Sequence, residues 1–413
     1  MKKNGKNWIP EKLWQRNLIV IGLGELLAIS GFSVFMPFMP YYVQELGVTR
    51  LEEVEFWSGL LISAQAVTMA LAAPIWGSLA DRYGRKIMVM RAMFGGSVVI
   101  ALMGFASSPG QLVALRAVQG VLTGTVPAAT TLVASSAPPE RRGYALGVLQ
   151  MAIYLGASAG PLMGGFIADH VGYRATFWVT GALLFGAGLL VGALVHEEFN
   201  PPERADGQHK PRLWDGLLLV VRTRALMTVF GIRVLMRMGM HTVGPMLPLF
   251  IQEMVPPETK IASLTGSIEG LSAAASAVAA VVLGRVSDRI GYRRILLICG
   301  LLACVSTGLI ARTHHPTQVL VLRTLSGAAM GGILAAVSAL LAALAPKDRF
   351  GAVYGVDTTM VSAANAMAPM IGAGLAASWG LPSVFLGAAA LYGVGMAVVA
   401  TTVPGKPPQD AQD

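Results

Sequence analysis

The same short charged phrase occurs twice in this chain, each time between two long apolar stretches. The two copies share glycine, aspartate, arginine and glycine at one spacing, and Gly284 follows Gly77 by 207 residues. The first copy contains Gly77, Asp81, Arg82, Gly84, Arg85 and Lys86, and the second contains Gly284, Asp288, Arg289 and Gly291. Because a charged turn between apolar stretches recurs at half the chain length, the sequence predicts a duplicated bundle of membrane helices.

The composition supports a lipid environment for this bundle. Hydrophobic residues make up 54% of the chain and charged residues 13%, whereas soluble domains have about 25% charged residues. A membrane-spanning helix needs about 20 predominantly apolar residues. We therefore predict an all-α membrane protein with twelve spans. They cover residues 17–42, 56–80, 87–107, 110–135, 143–169, 174–195, 225–252, 261–284, 293–312, 316–345, 350–377 and 381–403.

The positive residues indicate how the chain lies in the membrane. Most of the 31 Lys and Arg residues fall near the termini or in loops after even-numbered spans. Four positive residues lie in the opposite loops, namely Arg50, Arg174, Lys260 and Arg312. Cytoplasmic loops carry such an excess, so we expect both termini in the cytoplasm. The net charge of +9 is not gathered in a compact basic domain, which argues against a nucleic-acid partner.

Further landmarks repeat along the chain in the same order. Pro37 and Pro40 in the first span match Pro245 and Pro248 in the seventh, and Arg116 matches Arg323. Six spans in each half give the halves the same orientation, as in parallel repeats. We expect an N-terminal bundle over residues 1–195, a cytoplasmic linker over 196–224, a C-terminal bundle over 225–403 and a tail over 404–413.

The motifs resemble those of the major facilitator superfamily. The loop beginning at Gly77 follows that superfamily's pattern between helices 2 and 3, and Leu115 to Gly120 resembles its helix 4 motif. Gly156 to Gly165 resembles the helix 5 motif of its drug:proton antiporters, and the first span is similar to that of bacterial MdtG-type multidrug exporters. The resemblance implies the major facilitator fold, a monomer in the bacterial cytoplasmic membrane, and no cofactor or metal.

The repeated loop has a physical role and a simpler alternative. Gly84 permits a backbone turn that a Cβ would strain. The resemblance implies that Asp81 interacts with the positive N-terminal end of helix 11, with Arg82 and Arg85 in the same charge network. The alternative is a loop whose charges only set the topology.

Helix 5 is expected to carry a face without side chains. Gly156, Gly160 and Gly164 recur every fourth residue, which lets a neighbouring backbone approach closely. Pro161 removes one internal hydrogen bond and bends the helix, and Gly165 continues the run. The resemblance implies that the partner is helix 8 across the interface between the halves. Tight packing without a coupling role is the alternative.

Ionisable residues within spans are the strongest site signals, since each costs roughly 2.5–3.5 kcal/mol to insert. Glu25 lies about nine residues into its span, where loss of water disfavours the charged carboxylate. We therefore expect it to bind the transported proton, with Arg116 controlling its charge and Asp357 as a second carboxylate. The alternatives are permanent ion pairs with nearby arginines. Glu269 is better explained by bonding at the interface between the halves.

The expected substrate cavity combines adaptable and polar side chains. Methionine and aromatic residues suit varied hydrophobic substrates, although membrane helices are rich in them anyway. The cavity candidates are Phe35, Met36, Phe38, Tyr154, Arg237, Met240, His241 and Arg323. His241 is alternatively a packing residue, and Arg237 is alternatively a partner of Asp357.

These features together predict a carrier that is not an enzyme. The sequence predicts proton-coupled export of amphipathic small molecules or drugs by alternating access. The alternative is a symporter or facilitator for a specific small metabolite. No G-x-x-x-x-G-K-[ST] run for a nucleotide is present, which disfavours an ATP-driven pump.

Overall fold

The computed structural model describes residues 11–197, 199, 223–344 and 350–403, and these form helices joined by short turns. We number the helices by span, so that a broken span keeps one number. The first half contains α1 (Glu11–Phe35 and Met39–Glu45), α2 (Leu51–Tyr83), α3 (Arg85–Met103), α4 (Pro109–Leu122 and Thr125–Ser136), α5 (Arg142–Val171) and α6 (Tyr173–Leu194). The second half contains α7 (Arg224–Val243 and Leu247–Gln252), α8 (Ile261–Ile290), α9 (Tyr292–Ile310), α10 (Pro316–Leu344), α11 (Phe350–Trp379) and α12 (Leu381–Thr402).

Eleven described helices are long and apolar enough to cross a membrane. The helix missing from that set is α7, which carries Arg233 and Arg237 and is interrupted before Leu247. Together with the all-helical architecture, the spans confirm the expected fold class. Most of the linker over residues 196–224 and the tail over 404–413 lie outside the described residues, so the domain boundaries there stay predictions.

Three spans are broken where the sequence analysis expected continuous helices. A short 3₁₀ turn at Met36–Phe38 interrupts α1, and α7 has a turn after Val243. Within α4, Gly124 adopts φ +115°, a conformation that residues with a Cβ rarely tolerate. Pro37 and Pro245 lie at the first two breaks, where a residue without an N–H interrupts the helix, whereas only a glycine marks the third.

The helices pack both within each half and across the boundary between the halves. In the first half α1 contacts α5 and α6, and α2 contacts α4. In the second half α8 contacts α10, and α7 contacts α11 and α12. Between the halves, α5 packs against α8 and α2 packs against α11. These two helix pairs form the boundary across which the candidate site lies.

The two halves are joined at the end of the molecule where α1 and α7 finish, which we call the closed end. The side-chain amides of Gln44 and Gln252 donate to each other at 2.9 and 3.0 Å. Tyr41 donates its hydroxyl proton to the carbonyl of Pro248 at 2.7 Å and lies 2.9 Å from the hydroxyl of Thr265. A single cluster of buried apolar residues at this end also contains side chains from both halves.

Candidate functional site

Glu25 lies inside the first half, at the level of the break in α4. Its side chain is 0% exposed, and Thr125 donates a hydrogen bond of 3.3 Å to Oε2. Oε1 is buried without a hydrogen-bond partner, and Glu25 forms no ion pair among the described residues. Because Thr125 directly follows Gly124, the break in α4 presents the hydroxyl to the carboxyl. Burying a charged carboxylate with one hydrogen bond and no cation is costly.

Arg116 is also fully enclosed, but it does not contact Glu25. Its guanidinium donates to the backbone carbonyl of Leu61 at 3.1 Å, to Gln119 at 2.7 Å and to Gln65 at 3.1 Å. A further contact with Met36 places it about eleven residues along α1 from Glu25, or about 16 Å of helix rise. The expected direct control of Glu25 by Arg116 is therefore absent in this conformation.

The second half places an ion pair near the position equivalent to Glu25. Arg233 and Asp357 lie 3.2 Å apart, and their side chains are 16% and 7% exposed. Asp357 therefore follows the alternative interpretation, with Arg233 rather than Arg237 as its partner. Arg237 lies within electrostatic range of both residues, and its Nε is buried without a hydrogen-bond partner.

Glu269 pairs within its own half, contrary to the expectation that it bonds across the interface. Arg323 donates to both of its carboxylate oxygens at 3.3 Å. This pair links α8 to α10, so Glu269 contributes to the packing of the second half. His241 lies within electrostatic range of Arg237 and Arg323, with Nε2 buried and unpartnered.

The expected cavity residues divide between half-buried positions and the buried core. Tyr154 of α5 and Arg237 of α7 are half-buried and within electrostatic range of each other across the halves. Met36 and Met240 are half-buried as well. Phe35 and Phe38, in contrast, are each 1% exposed. Phe35 packs on Phe177 at 5.1 Å and Phe38 packs on Ala262 of α8, so both belong to the core at the closed end and not to a cavity wall.

The glycine stripe of α5 faces a different helix from the one expected. Ideal Cβ atoms on Gly156, Gly160 and Gly164 would collide with the backbone or side chains of α1 in the same half. The contact with α8 is made by the adjoining face of α5, where Gly165 approaches Ala262 and Ser263. The stripe therefore seals α1 against α5, and its expected partner was wrong.

The face of α5 next to the stripe holds the two halves together. The carbonyl of Pro161 approaches Gly266 so closely that a Cβ there would collide with it, and the Cα of Gly165 is in van der Waals contact. Ser158 donates a hydrogen bond of 3.0 Å to the carbonyl of Gly270. Gly266 and Gly270 of α8 therefore pack closely against α5.

The repeated loops contain the predicted turns. Gly84 and Gly291 adopt φ +96° and +94°, which explains why glycine occupies both positions. Gly77 has open space around it, and Gly284 has ordinary contact with Ala335. Arg82 lies against the ring of Tyr83 at 5.3 Å, and Lys86 donates to the carbonyl of Gly192 at 2.8 Å. The side chains of Asp81 and Asp288 lie outside the described residues, so the contact of Asp81 with helix 11 remains a prediction.

Glu197 is a participant in the first loop that the sequence analysis missed. Its carboxylate accepts hydrogen bonds from the backbone N–H groups of Arg85 at 3.0 Å and Lys86 at 2.7 Å. These groups form the N-terminus of α3, where a negative charge is stabilising. Glu197 thereby fixes the start of the linker to the loop. Glu197 follows α6, and a single acidic residue after a helix forms no sequence pattern that would predict this contact.

Asp169 makes the corresponding contact across the closed end. Its carboxylate oxygens accept hydrogen bonds from the backbone N–H groups of Ala262 at 3.2 Å and Ser263 at 2.7 Å. Those groups begin α8, so a carboxylate of the first half caps a helix of the second. Next to it, Lys260 Nζ lies 3.1 Å from His170 Nε2. The sequence analysis gave Asp169 no role because its partners are backbone groups.

Comparison with known proteins then decides the family. The model of the Major Facilitator Superfamily matches residues 21–255 and 229–413. The chain belongs to the major facilitator superfamily. This assignment confirms the resemblance found in the motifs, and members of the superfamily are membrane transporters. The chain is accordingly a multi-pass membrane protein.

Several curated superfamily members are similar along nearly the whole chain. The multidrug resistance protein MdtG of Salmonella dublin is 35% identical over 372 residues, covering 90% of this chain and 91% of that protein. MdtG of Klebsiella pneumoniae strain 342 is 35% identical over 373 residues, covering 90% of both chains. The resemblance to MdtG-type proteins is thereby confirmed.

Solved structures share the architecture at low sequence identity. A bacterial homologue of the human lysosomal transporter Spinster, inward-facing and occupied, has a TM-score of 0.80 at 14% identity, covering 95% of this chain and 97% of that one. The nucleoside transporter NupG has a TM-score of 0.78 at 11% identity, covering 94% of this chain and all of that one. At such identities the likeness concerns the fold alone.

Proposed function

We propose that this superfamily member exports amphipathic small molecules in exchange for protons, by alternating access between its two halves. The curated relatives are multidrug resistance proteins. A proton moving down a potential of 100 mV supplies about 2.3 kcal/mol, and more where a pH difference adds to it. The proposal therefore requires a group inside the bundle that binds one proton and releases it.

The environment of Glu25 is the main support for this proposal. It is a fully buried carboxyl with one neutral hydrogen-bond donor and no ion-pair partner among the described residues. In the second half, by contrast, Asp357 is neutralised by Arg233. A carboxyl in such a site stays neutral until a conformational change brings water or a cation to it. We assign the coupling proton to Glu25, and Asp357 to a structural ion pair.

The contacts at the closed end support an assignment of the conformation. The distribution of Lys and Arg residues along the chain supports a cytoplasmic location of both termini. The end where Gln44 meets Gln252 is then the outer side of the membrane. Because the halves are joined there, the conformation described is the one that faces the cytoplasm.

The substrate site lies between Tyr154 of the first half and Arg237 of the second. These two residues provide a hydroxyl and a cation, while Met36 and Met240 provide adaptable apolar contacts. His241 adds an unpartnered ring nitrogen near Arg237. Polar groups beside apolar side chains suit an amphipathic molecule, and one protein chain contains the whole arrangement, so we expect a functional monomer.

Transport by purified protein in nucleotide-free liposomes tests the proposal. The liposomes contain a lipophilic fluorescent dye, and separate sets contain an anionic or a zwitterionic amphiphile. We expect faster exit when the outer medium is acidic than when the pH gradient is collapsed with an ionophore. Equal exit with and without the gradient would indicate a facilitator. Exit accelerated by the opposite gradient would indicate a symporter, and either result would refute export by exchange.

A further inference from the structure

A buried carboxyl at the closed end belongs to neither the proton site nor the ion pairs described above. Glu55 lies in the second turn of α2 and is 2% exposed. It makes no hydrogen bond or ion pair with any residue that the structure describes. A charged carboxylate without a partner is costly to bury, so its isolation requires an explanation.

Glu55 borders a cavity between the two halves. The cavity has a volume of about 440 Å³ and is lined by the start of α2, by Glu253 after α7, and by Ala376 and Gly380 at the end of α11. Its volume is sufficient for several water molecules, each of which occupies about 30 Å³ in the liquid. The cavity therefore gives protons from the adjoining solution a route to Glu55.

The charged groups around Glu55 are mostly of its own sign. Glu253 of the second half and Glu52 of α2 are within electrostatic range of it. Among the described residues that line the cavity, the one cation is Arg50, which pairs with Glu52 at 3.1 Å and Glu53 at 3.4 Å. Helices α11 and α12 contribute no ionisable residue to the cavity lining. Closing this end thus brings acidic groups of both halves together.

These neighbours do not form a metal site. Among the described residues, no three His, Cys, Asp or Glu side chains lie close enough together to hold a metal ion. A proton on one of the carboxyls would remove the repulsion without a coordination shell. Partial burial already raises the pKa of Glu253, which lies beyond the spans.

We propose that Glu55 is a proton-binding site that stabilises the closed end when it is occupied. When the halves separate here, water reaches Glu55 and the carboxyl ionises. When they close, Glu55 takes up a proton because closure buries most of its side chain beside Glu253 and supplies no cation to balance its charge. Closure consequently binds a proton, and acid favours the closed conformation.

This proton differs from the one assigned to Glu25. Glu55 faces the same side of the membrane when it binds the proton and when it releases it. It therefore adds nothing to the stoichiometry of exchange, but makes closure depend on the pH of that side. The inference rests on the proposed function in one respect only, which is that the closed end lies at the outer side of the membrane.

The test measures the separation of the halves without any substrate. Nitroxide labels are placed on exposed Thr49 and Pro257, one in each half at the closed end, after Cys299 and Cys304 are replaced by alanine. Double electron–electron resonance in lipid nanodiscs then gives the populations of short and long distances from pH 5 to pH 9. One coupled proton changes the population ratio by at most about tenfold per pH unit.

We expect wild-type protein to shift towards the long distance as the pH rises, and Glu55→Gln to keep the short distance at high pH. Glu53→Gln, which removes an exposed carboxylate on the same helix turn, should respond as wild type does. Asp169, His170 and Lys260 are further ionisable residues at this end. The difference between wild type and Glu55→Gln isolates the contribution of Glu55.

Equal pH responses of wild type and Glu55→Gln would overturn the inference, as would no response in wild type. Glu253→Gln provides a second test that leaves Glu55 in place. Because it removes a repulsive charge, it should move the midpoint of the wild-type response to lower pH, and an unmoved midpoint would contradict the electrostatic argument. None of these results requires transport, so they are independent of the test of the proposed function.

Discussion

Asp169 offers the clearest way to perturb the balance between the two conformations. Its carboxylate is half-buried and accepts hydrogen bonds from Ala262 at 3.2 Å and Ser263 at 2.7 Å. A charge at a helix N-terminus stabilises by 0.3–1 kcal/mol when exposed and by up to about 2 kcal/mol when partly buried. Since the cap joins the two halves, this energy stabilises the closed end relative to the open one.

Replacement of Asp169 by alanine removes both the charge and the acceptors. We expect the closed end to lose about 1–2 kcal/mol, which lowers the ratio of closed to open molecules roughly 5- to 30-fold. Asp169→Asn keeps one acceptor oxygen and should have a smaller effect. The distance distribution between labels at Thr49 and Pro257 at neutral pH measures both ratios.

Glu45→Gln is the matched control for this experiment. Glu45 pairs with Arg174 at 3.2 Å, at the same end but within the first half. Its neutralisation changes the charge equally and breaks no contact between the halves. We expect its distance distribution to match wild type. An unchanged distribution in Asp169→Ala, or an equal shift in Glu45→Gln, would refute the role assigned to the cap.

Three further predictions follow from the packing. Asp357→Asn, which breaks the mostly buried ion pair with Arg233, should destabilise the protein by about 3–5 kcal/mol. Joint replacement of Arg233 and Asp357 by apolar residues should restore most of the lost thermal stability. The melting temperature in detergent measures both effects. Gly266→Val should prevent α5 from approaching α8 and favour the long label distance, while Gly147→Ala, which has open space, should not; equal effects would contradict the packing. Gly124→Ala should cost about 1–2 kcal/mol because of its positive φ and lower the melting temperature, and an unchanged melting temperature would contradict strain at this break.

The sequence predicted the fold well because the fold depends on local patterns. Each span needed only an apolar stretch of sufficient length, and the ends of helices such as α6 and α9 follow from flanking turns. The positive φ of Gly84 and Gly291 was predictable because charged residues and glycine recur in both loops. These signals are carried by neighbouring residues and survive without knowledge of the tertiary structure.

The site was only partly predictable because it depends on which helix faces which. The glycine stripe of α5 was recognised, but its partner is α1 and not α8. Neighbouring residues such as Gly164 and Gly165 lie on adjoining faces of the helix, and the sequence does not show which face meets which partner. The pairing of Glu269 with Arg323 was missed for the same reason. Asp169 and Glu197 bind backbone N–H groups, which every residue but proline possesses, so no sequence pattern marks the partner.

Glu25 is where the sequence and the structure agree most closely in placement, although its role is still a proposal. The sequence indicated a carboxyl deep in the first span, and the structure adds its enclosure and its contact with Thr125. The break at Gly124 that presents this hydroxyl could not be foreseen. The proton-coupling role therefore depends on a local irregularity as well as on the residue itself.

The most direct test measures two activities of the Glu25→Gln variant separately: substrate exchange and proton-driven substrate transport. Reconstituted wild-type protein should catalyse both exchange of labelled for unlabelled substrate at equal pH and uphill substrate movement in a pH gradient. Glu25→Gln, a permanently neutral carboxyl analogue, should retain the exchange and lose the uphill movement, while Glu53→Gln should retain both. Uphill movement that survives in Glu25→Gln would contradict the assignment of the coupling proton to Glu25.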